Sequence, residues 1–237
     1  MYGGGSRGIL LIMNYQKELD KILADIQQTG GRKPTLLLHA CCAPCSSYVL
    51  EYLSEYFDIT IYYYNPNIYP KTEYERRLEE LVNFLPRFGP AKTHGIQLVT
   101  AEYNPEEFFT GTGVLQDTSL QTEPEKGERC RRCYLLRMKK AYEYAAVHAY
   151  DWFTTTLSIS PFKDAEKIHT IGMELEASFQ ETVAAEKRGP RFLTSDFKKR
   201  GGFKRSLELS AEYGLYRQTY CGCLYSKRSR EEFDNAR

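Results

Sequence analysis

The strongest constraint on the fold is a short apolar segment that leads directly into a cysteine-rich loop and then into a helical pattern. Residues 35–40 (TLLLHA) form a brief apolar run between Gly31 and Pro44, which is typical of a buried strand. From Ser46 onward, apolar and aromatic residues recur at spacings of three and four, which predicts a helix with Pro44 near its first turn. This pattern indicates a strand, loop and helix unit of an α/β protein.

The alternation of strands and helices continues along the chain. Further strands are predicted at 59–64, 96–101 and 152–157, and helices at 15–28, 72–84, 128–148 and 168–176. This order indicates an α/β fold with a mostly parallel, Rossmann-like sheet. We expect a single main domain over residues 31–237, preceded by an N-terminal extension and helix over residues 1–30.

Two loops that follow predicted strands are candidates for a shared binding site. In parallel sheets, ligands bind outside the carboxyl ends of the strands. The cysteine loop at 41–45 and the turn at 158–163 both occupy such positions, so we expect them to meet. A third segment, 103–126, is rich in Thr, Gly, Pro and Glu and is long enough to be a functional lid or a mobile insertion.

The composition argues against a membrane or secreted protein. The chain has 237 residues, a formal net charge of +1 and a mean hydropathy of −0.52. No apolar stretch approaches the ~20 residues that span a bilayer. The apolar run at 9–13 is shorter than the ~7 to 15 apolar residues of a secretory signal. We therefore expect a cytoplasmic protein with no membrane partner, in a compartment where structural disulfides are rare.

The seven cysteines fall into three tight groups and are absent from the rest of the chain. The groups are CCAPC at 41–45, CRRC at 130–133 and CGC at 221–223. Cysteines that serve as small hydrophobic residues would be scattered, and disulfide frameworks are typical of shorter, secreted chains. The grouping therefore indicates a bound metal or a redox centre.

The first two groups supply five thiols, and an iron-sulfur cluster generally requires four ligands. Cys130 and Cys133 lie at the start of a predicted helix, so they share a face, and the helix N-terminus favours their thiolate forms. Thiolates select iron-sulfur clusters, zinc or copper(I). Structural zinc is the alternative here, although adjacent Cys41 and Cys42 are an unusual zinc pair and a chain of this length can bury a core without metal.

Cys221 and Cys223 raise a separate question. Two cysteines flanking one glycine can close a small strained disulfide ring, and such disulfides are easily reduced. The pair therefore suits a two-electron relay; additional metal ligands and thiols without a special role are the alternatives. His39, two residues before Cys41, is the histidine nearest to this chemistry, and it is either catalytic or a structural histidine at the end of a strand.

Positive charge is concentrated near the C-terminus. Residues 187–237 contain 13 Lys or Arg against 6 Asp or Glu, a local charge of +7. Basic clusters at 198–200 and 204–205 flank Phe203. The segment is either a solvated basic face or a surface that contacts nucleic-acid phosphates, with aromatic side chains available to stack on bases.

Five sequence motifs occur in the order found in QueH-type epoxyqueuosine reductases. They are LLLHACCAPC at 36–45, YYNPNI at 63–68, RCRRC at 129–133, TTTLSISPFK at 154–163 and YCGC at 220–223. Each motif alone is weakly specific, but the combination is highly specific. The chain resembles this family from about Thr35 to Ser226.

The resemblance implies both a fold and an activity. The family is similar to the adenine-nucleotide hydrolase-like α/β fold. Its members reduce epoxyqueuosine to queuosine at the wobble position of tRNA, which is the last step of queuosine biosynthesis. They carry a [4Fe-4S] cluster with a further iron nearby, and an external electron donor must supply the reducing equivalents.

The resemblance also implies roles for individual residues. Four cysteines match the cluster ligands: Cys41, Cys42, Cys130 and Cys133. Cys221 and Cys223 match a redox-active disulfide. Cys45 lies where some members have Asp, which leaves the ligands of the further iron open. The resemblance does not indicate the proton donor; side chains with suitable chemistry are Lys163, Asp164 and Asp117.

Two other functions are compatible with parts of the sequence. An iron-sulfur tRNA sulfurtransferase of the same general fold would activate RNA with ATP through a Ser-Gly-Gly-rich loop after the first strand, where this chain has CCAPC. A non-catalytic, zinc-stapled RNA-binding module would use the cysteines for stability alone. ATP consumption would favour the first function, and zinc as the sole bound metal would favour the second.

Overall fold

The computed structural model describes residues 14–182 and 189–235. Residues 1–13, which form much of the predicted N-terminal extension, lie outside these ranges. Within them, none of the helices combines the length and the hydrophobicity required to span a bilayer.

A parallel sheet lies at the centre of the fold. Its strands are β1 (Thr35–His39), β2 (Asp58–Tyr63), β3 (Gln97–Thr100), β4 (Trp152–Thr155) and β5 (Arg191–Phe192). They are arranged in the order β3-β2-β1-β4-β5, and every neighbouring pair is parallel. The α/β prediction is confirmed, because helices separate the strands along the chain as parallel connections require.

Helices cover both faces of the sheet. Their bounds are α1 (Tyr15–Thr29), α2 (Ala43–Leu53), α3 (Lys71–Phe84), α4 (Gly89–His94), α5 (Glu106–Thr112), α6 (Ser119–Thr122), α7 (Glu128–Val147), α8 (Ala165–Thr182), α9 (Gly202–Glu212) and α10 (Leu224–Asn235). Short 3₁₀ turns follow α3 and β4.

The segment 103–126, for which the sequence predicts a functional lid or a mobile insertion, contains the two short helices α5 and α6. Three of its apolar side chains are buried: Phe108, Val114 and Leu120. These residues pack in one apolar cluster with Cys133 and Cys223. The segment is therefore part of the wall around the cysteines.

The alternation of side chains along β1 divides the core into two layers. Leu36 and Leu38 belong to the apolar cluster that α1, α2, α3 and α9 cover, whereas Leu37 belongs to the cluster on the other face with α7 and α8. Successive residues of a strand point to opposite faces, so each face of the buried strand contributes to one layer.

The strand order places a crevice at the carboxyl end of β1. The chain proceeds from β1 to β2 and β3 on one side and then returns to add β4 on the other. Such a reversal opens a gap between the outgoing connections, where ligands of α/β proteins bind. The cysteine loop follows β1 directly, and the 158–163 segment follows β4 closely.

Gly202→Ala is expected to destabilise the protein strongly. A Cβ at this position would lie 2.0 Å from the Phe197 carbonyl oxygen and 2.4 Å from the Tyr48 ring. The backbone carbonyl cannot swing aside, so we expect a loss of about 3 kcal/mol and a Tm lower by roughly 6–12 °C. Gly89→Ala is the control, because its Cβ would meet nothing within 4 Å. Equal melting temperatures for the two variants would contradict this prediction.

Candidate metal and redox site

The first cysteine group lies where β1 passes into α2. Cys42 is the N-cap residue of α2, and Cys45 lies in the first turn of the helix. The Sγ atoms of Cys41, Cys42 and Cys45 all lie within 4.8 Å of one another, and the Cys41 and Cys42 Sγ atoms are 3.8 Å apart. Soft donors at this spacing can hold a metal ion.

The three thiols of this group have very different acidities. Hydrogen bonds from the Cys42 and Cys45 thiols hold the pKa of Cys41 well below its ordinary value. Burial raises the pKa of Cys42 to about 12, and a hydrogen bond to Cys41 raises that of Cys45. Cys41 is therefore the most acidic of the three thiols, and its thiolate form is stabilised by the other two. Further protons must leave when more than one sulfur binds a metal.

The second group lies in the first two turns of α7. Cys130 and Cys133 are buried and line a small cavity of about 20 Å³ together with Cys221 and Cys223. The predicted preference for thiolates is wrong for the metal-free site: burial raises the pKa of Cys130 and raises that of Cys133 to about 12. Loss of hydration opposes charge more strongly here than the helix N-terminus favours it.

The third group, CGC, is held against the body of the protein by backbone hydrogen bonds. Tyr69 N donates to the Gly222 carbonyl at 2.8 Å, Arg77 Nη1 donates to the Cys221 carbonyl at 3.3 Å, and Cys221 N donates to Ser226 Oγ at 3.1 Å. Gly222 has φ +123°, and a Cβ there would lie 3.1 Å from Arg77. Position 222 therefore favours glycine, and the loop has a defined place beside the other cysteines.

Cys221 and Cys223 are free thiols in this structure. A hydrogen bond from Cys223 holds the pKa of Cys221 well below its usual range, and the same contact raises the pKa of Cys223. Cys221 is thus the more acidic thiol of the pair, and the Cys223 thiol stabilises its thiolate form. This is the arrangement from which a dithiol can exchange with an incoming disulfide or lose two electrons.

The three groups converge on two adjoining cavities. Cys41 and Cys45 line the larger one, which has a volume of about 220 Å³, and Cys130 and Cys133 line the smaller one. Four residues line both: Glu125, Phe162, Lys163 and Cys221. The expectation that the cysteine loop meets the 158–163 turn is confirmed. The four predicted cluster ligands thus form two pairs, one in the loop that leads into α2 and one near the start of α7.

Buried cations surround these thiols. Arg77 and Arg137 are 0% and 2% exposed, and each has a side-chain nitrogen without a hydrogen-bond partner among the described residues. Arg137 donates to the Asn65 side chain and to the Cys133 thiol. Arg77 forms a 2.7 Å salt bridge with Glu73, whereas no salt bridge to Arg137 is found among the described residues. Buried charges are costly unless they are paired. The surroundings of Arg137 therefore fit an anionic group, and a thiolate-bound iron-sulfur centre is of this kind.

Lys163 adds a further positive charge at the boundary of the two cavities. Burial opposes its charge, but the Cys221, Cys41 and Cys45 sulfurs outweigh that effect and raise the pKa of Lys163. Asp164, in contrast, caps α8 and pairs with Lys167, and Asp117 is exposed and accepts from Ser119. Of the three suggested proton donors, Lys163 alone lines either cysteine cavity.

His39 has a structural environment. It is fully buried, its Nδ1 lies 2.8 Å from Thr155 Oγ1, and its Nε2 lies 3.1 Å from the Tyr64 carbonyl oxygen. Burial lowers the pKa of His39 to about 3, so the ring is neutral. These contacts join the ends of β1, β2 and β4, which favours the structural alternative for this histidine.

The basic clusters near the C-terminus are largely paired. Lys198 forms a 2.7 Å salt bridge with Asp196, Arg200 pairs with Asp20, and Arg205 forms a 2.7 Å salt bridge with a glutamate of α2. The net charge of this segment therefore overstates its positive surface. The cationic side chains at the larger cavity are Lys163, Arg217 and Arg230.

Sequence reasoning missed several residues that line the cavities. Glu125 lines both and accepts a 2.6 Å hydrogen bond from Ser226 Oγ, and Asn67 is buried with an unpartnered side-chain oxygen. Asn67 belongs to the 63–68 motif, but no role was predicted for it. Nothing in the local sequence distinguishes Glu125 from its acidic neighbours.

Comparison with known proteins identifies the family of this chain. A family profile described as epoxyqueuosine reductase QueH matches residues 36–229. The chain is 39% identical to the epoxyqueuosine reductase QueH of Staphylococcus epidermidis, with 90% of this chain and 84% of the relative covered. It is 37% identical to the protein of that name from Streptococcus pyogenes, covering 91% and 79%, and 33% identical to that from Thermotoga maritima, covering 84% and 93%.

Proposed function

This chain belongs to the epoxyqueuosine reductase QueH family of oxidoreductases, and on that premise we propose that it reduces epoxyqueuosine to queuosine at the wobble position of tRNA. The observation that carries this proposal is the convergence of three cysteine groups and two buried arginines at one edge of the sheet. A dithiol, further thiol ligands and a substrate-sized opening lie together there.

A [4Fe-4S] cluster would be held by Cys41, Cys42, Cys130 and Cys133. The ligands of such a cluster lie further apart than the ligands of a single metal ion, because the cluster contains four iron atoms. This spacing suits two pairs of thiols that come from different segments of the chain. Cys45 is then available to a further iron. When bound, these centres supply single electrons and a Lewis acid. Arg137, which is buried and donates to the Cys133 thiol, would provide positive charge beside such an anionic assembly.

The cysteine pair at 221 and 223 accounts for the electrons of the reaction. Removing the epoxide oxygen breaks two C–O bonds, forms a C=C bond and releases water, which consumes two electrons and two protons. Oxidation of the Cys221 and Cys223 thiols to a disulfide releases two electrons and two protons, so the exchange balances. An external electron donor must then reduce the disulfide before the next turnover.

Lys163 would stabilise the negative charge that develops on the epoxide oxygen. Lys163→Met is expected to lower kcat about 100-fold, because a preorganised cation at this point acts mainly on the transition state. Lys163→Arg should recover part of the loss. Lys167→Met is the control, since Lys167 pairs with Asp164 and lines neither cysteine cavity. A decrease in kcat of less than threefold in Lys163→Met would refute this role.

The proposed function is tested by anaerobic reconstitution with iron and sulfide, followed by incubation with epoxyqueuosine-containing tRNA and a reductant. Mass spectrometry of the nucleosides should show a loss of about 16 mass units, which corresponds to one oxygen atom. ATP-dependent thiolation would instead identify a sulfurtransferase. Zinc as the sole bound metal, with no change in the tRNA, would identify a non-catalytic RNA-binding module.

A further inference from the structure

Phe162 is an unusual aromatic residue for this part of the molecule. Its side chain is 68% exposed, yet it lines both cysteine cavities. Phe162 N donates to Ser160 Oγ at 3.3 Å, and Lys163 N donates to the Ser160 carbonyl at 3.2 Å. The ring is therefore presented to solvent from a hydrogen-bonded turn. What distinguishes Phe162 from other exposed apolar side chains is its position, because a ligand that enters either cavity can cover this ring.

The other residues around the larger cavity have complementary properties. Phe203 also lines this cavity, with the Arg217 guanidinium 5.7 Å from its ring centroid. Arg230 lines the cavity too and forms an exposed 3.0 Å salt bridge with Asp234. Arg217 Nη1 donates to Ser210 Oγ at 3.1 Å, and no salt bridge to it is found in the described part of the chain. We define Phe162, Phe203, Arg217 and Arg230 as the cavity mouth.

Aromatic faces and arginines together are the features that bind a splayed RNA nucleotide. Bases of single-stranded loops stack on aromatic side chains, while arginines contact the flanking phosphates. A folded protein partner would need an apolar area much larger than two rings. The arrangement therefore favours an RNA loop with one base turned out of its stack.

We propose that the cavity mouth is the tRNA anticodon-loop entrance and that Phe162 stacks on the base that enters the cavity or on its neighbour. This inference rests on the proposed function and specifies the surface that would deliver the substrate. The expected RNA contact therefore lies at the rim of the larger cavity. It does not lie at the basic cluster at 198–200, where two of the three cations are paired.

The test measures binding of an anticodon stem-loop RNA to Phe162→Ala and Phe162→Trp by fluorescence anisotropy at several salt concentrations. Loss of one stacking contact should weaken binding about tenfold in Phe162→Ala, equivalent to about 1.4 kcal/mol. The salt dependence should be unchanged, because no phosphate contact is lost, and Phe162→Trp should bind like wild type. An Arg217→Ala/Arg230→Ala variant should instead reduce the salt dependence.

Val147→Ala is the matched control, an exposed apolar residue at the opposite end of α7 from the cysteines. Wild-type affinity in Phe162→Ala would overturn the inference, as would equal loss in Phe162→Ala and Phe162→Trp, which would indicate a structural role. If wild-type protein binds the RNA through Phe162 but does not reduce epoxyqueuosine, the proposed reaction fails while the stacking surface stands. Absence of RNA binding by the wild type would overturn both.

Discussion

A Cys221→Ala/Cys223→Ala variant is expected to lose multiple-turnover reduction of epoxyqueuosine, with kcat lowered by more than about 100-fold. The reason is stoichiometric: the two thiols together release the two electrons and two protons that opening and removing the epoxide consume. The effect should be confined to catalysis. Gly222 and the backbone contacts of the loop to Tyr69 and Arg77 are unchanged in this variant.

Counting thiols provides a measurement that does not depend on the rate. Wild-type protein, alkylated after a single turnover without external reductant, should show two fewer reactive thiols, both at 221 and 223. The double variant should show no change in its remaining cysteines. Lys227→Ala, on α10 beyond the loop and paired with Glu231, is the control and should behave like wild type. A double variant that turns over repeatedly at the wild-type rate would rule out the relay.

The sequence predicted the architecture well because the sheet is encoded locally. Short apolar runs that end at Gly, Pro or Asn mark β1 to β4, and their alternation with helices requires parallel connections. The two-residue strand β5 and the helices α4, α5, α6, α9 and α10 were not predicted. Strand β5 depends on its pairing with Trp152 and Phe153, and α5 and α6 depend on the burial of Phe108 and Leu120.

Charge and acidity were the least predictable properties of the site. The basic cluster at 198–200 suggested a phosphate-binding face, but Asp20 and Asp196 neutralise two of its cations, and Asp20 is remote in sequence. Similarly, the position of Cys133 near the start of a helix suggested a thiolate, whereas burial raises its pKa to about 12. Both properties depend on what the fold places opposite a side chain, and local sequence does not contain that information.

Cys133→Ser is expected to lose the four-iron cluster, whereas Cys45→Asp is expected to keep it. Cys133 is buried beside Arg137, whose guanidinium also faces Cys41. This shared cation favours a centre held between α2 and α7. Removing the Cys133 thiolate should therefore abolish the four-iron cluster and, with it, detectable turnover. Iron analysis after anaerobic reconstitution should show a loss of about four iron atoms per chain.

Cys45→Asp is the matched variant, because it replaces a soft thiolate by a hard carboxylate beside the proposed cluster ligands. Cys45 is only partly buried and lines the larger cavity, where a substrate would enter. The cluster absorption and its electron paramagnetic resonance signal after reduction should persist in this variant, while the properties of any further iron change with the harder ligand. The competing arrangement follows from the closeness of the Cys41, Cys42 and Cys45 sulfurs, all within 4.8 Å. If those three thiols held the principal metal, Cys45→Asp would lose the cluster signal and Cys133→Ser would keep it, and the ligand set proposed here would be wrong.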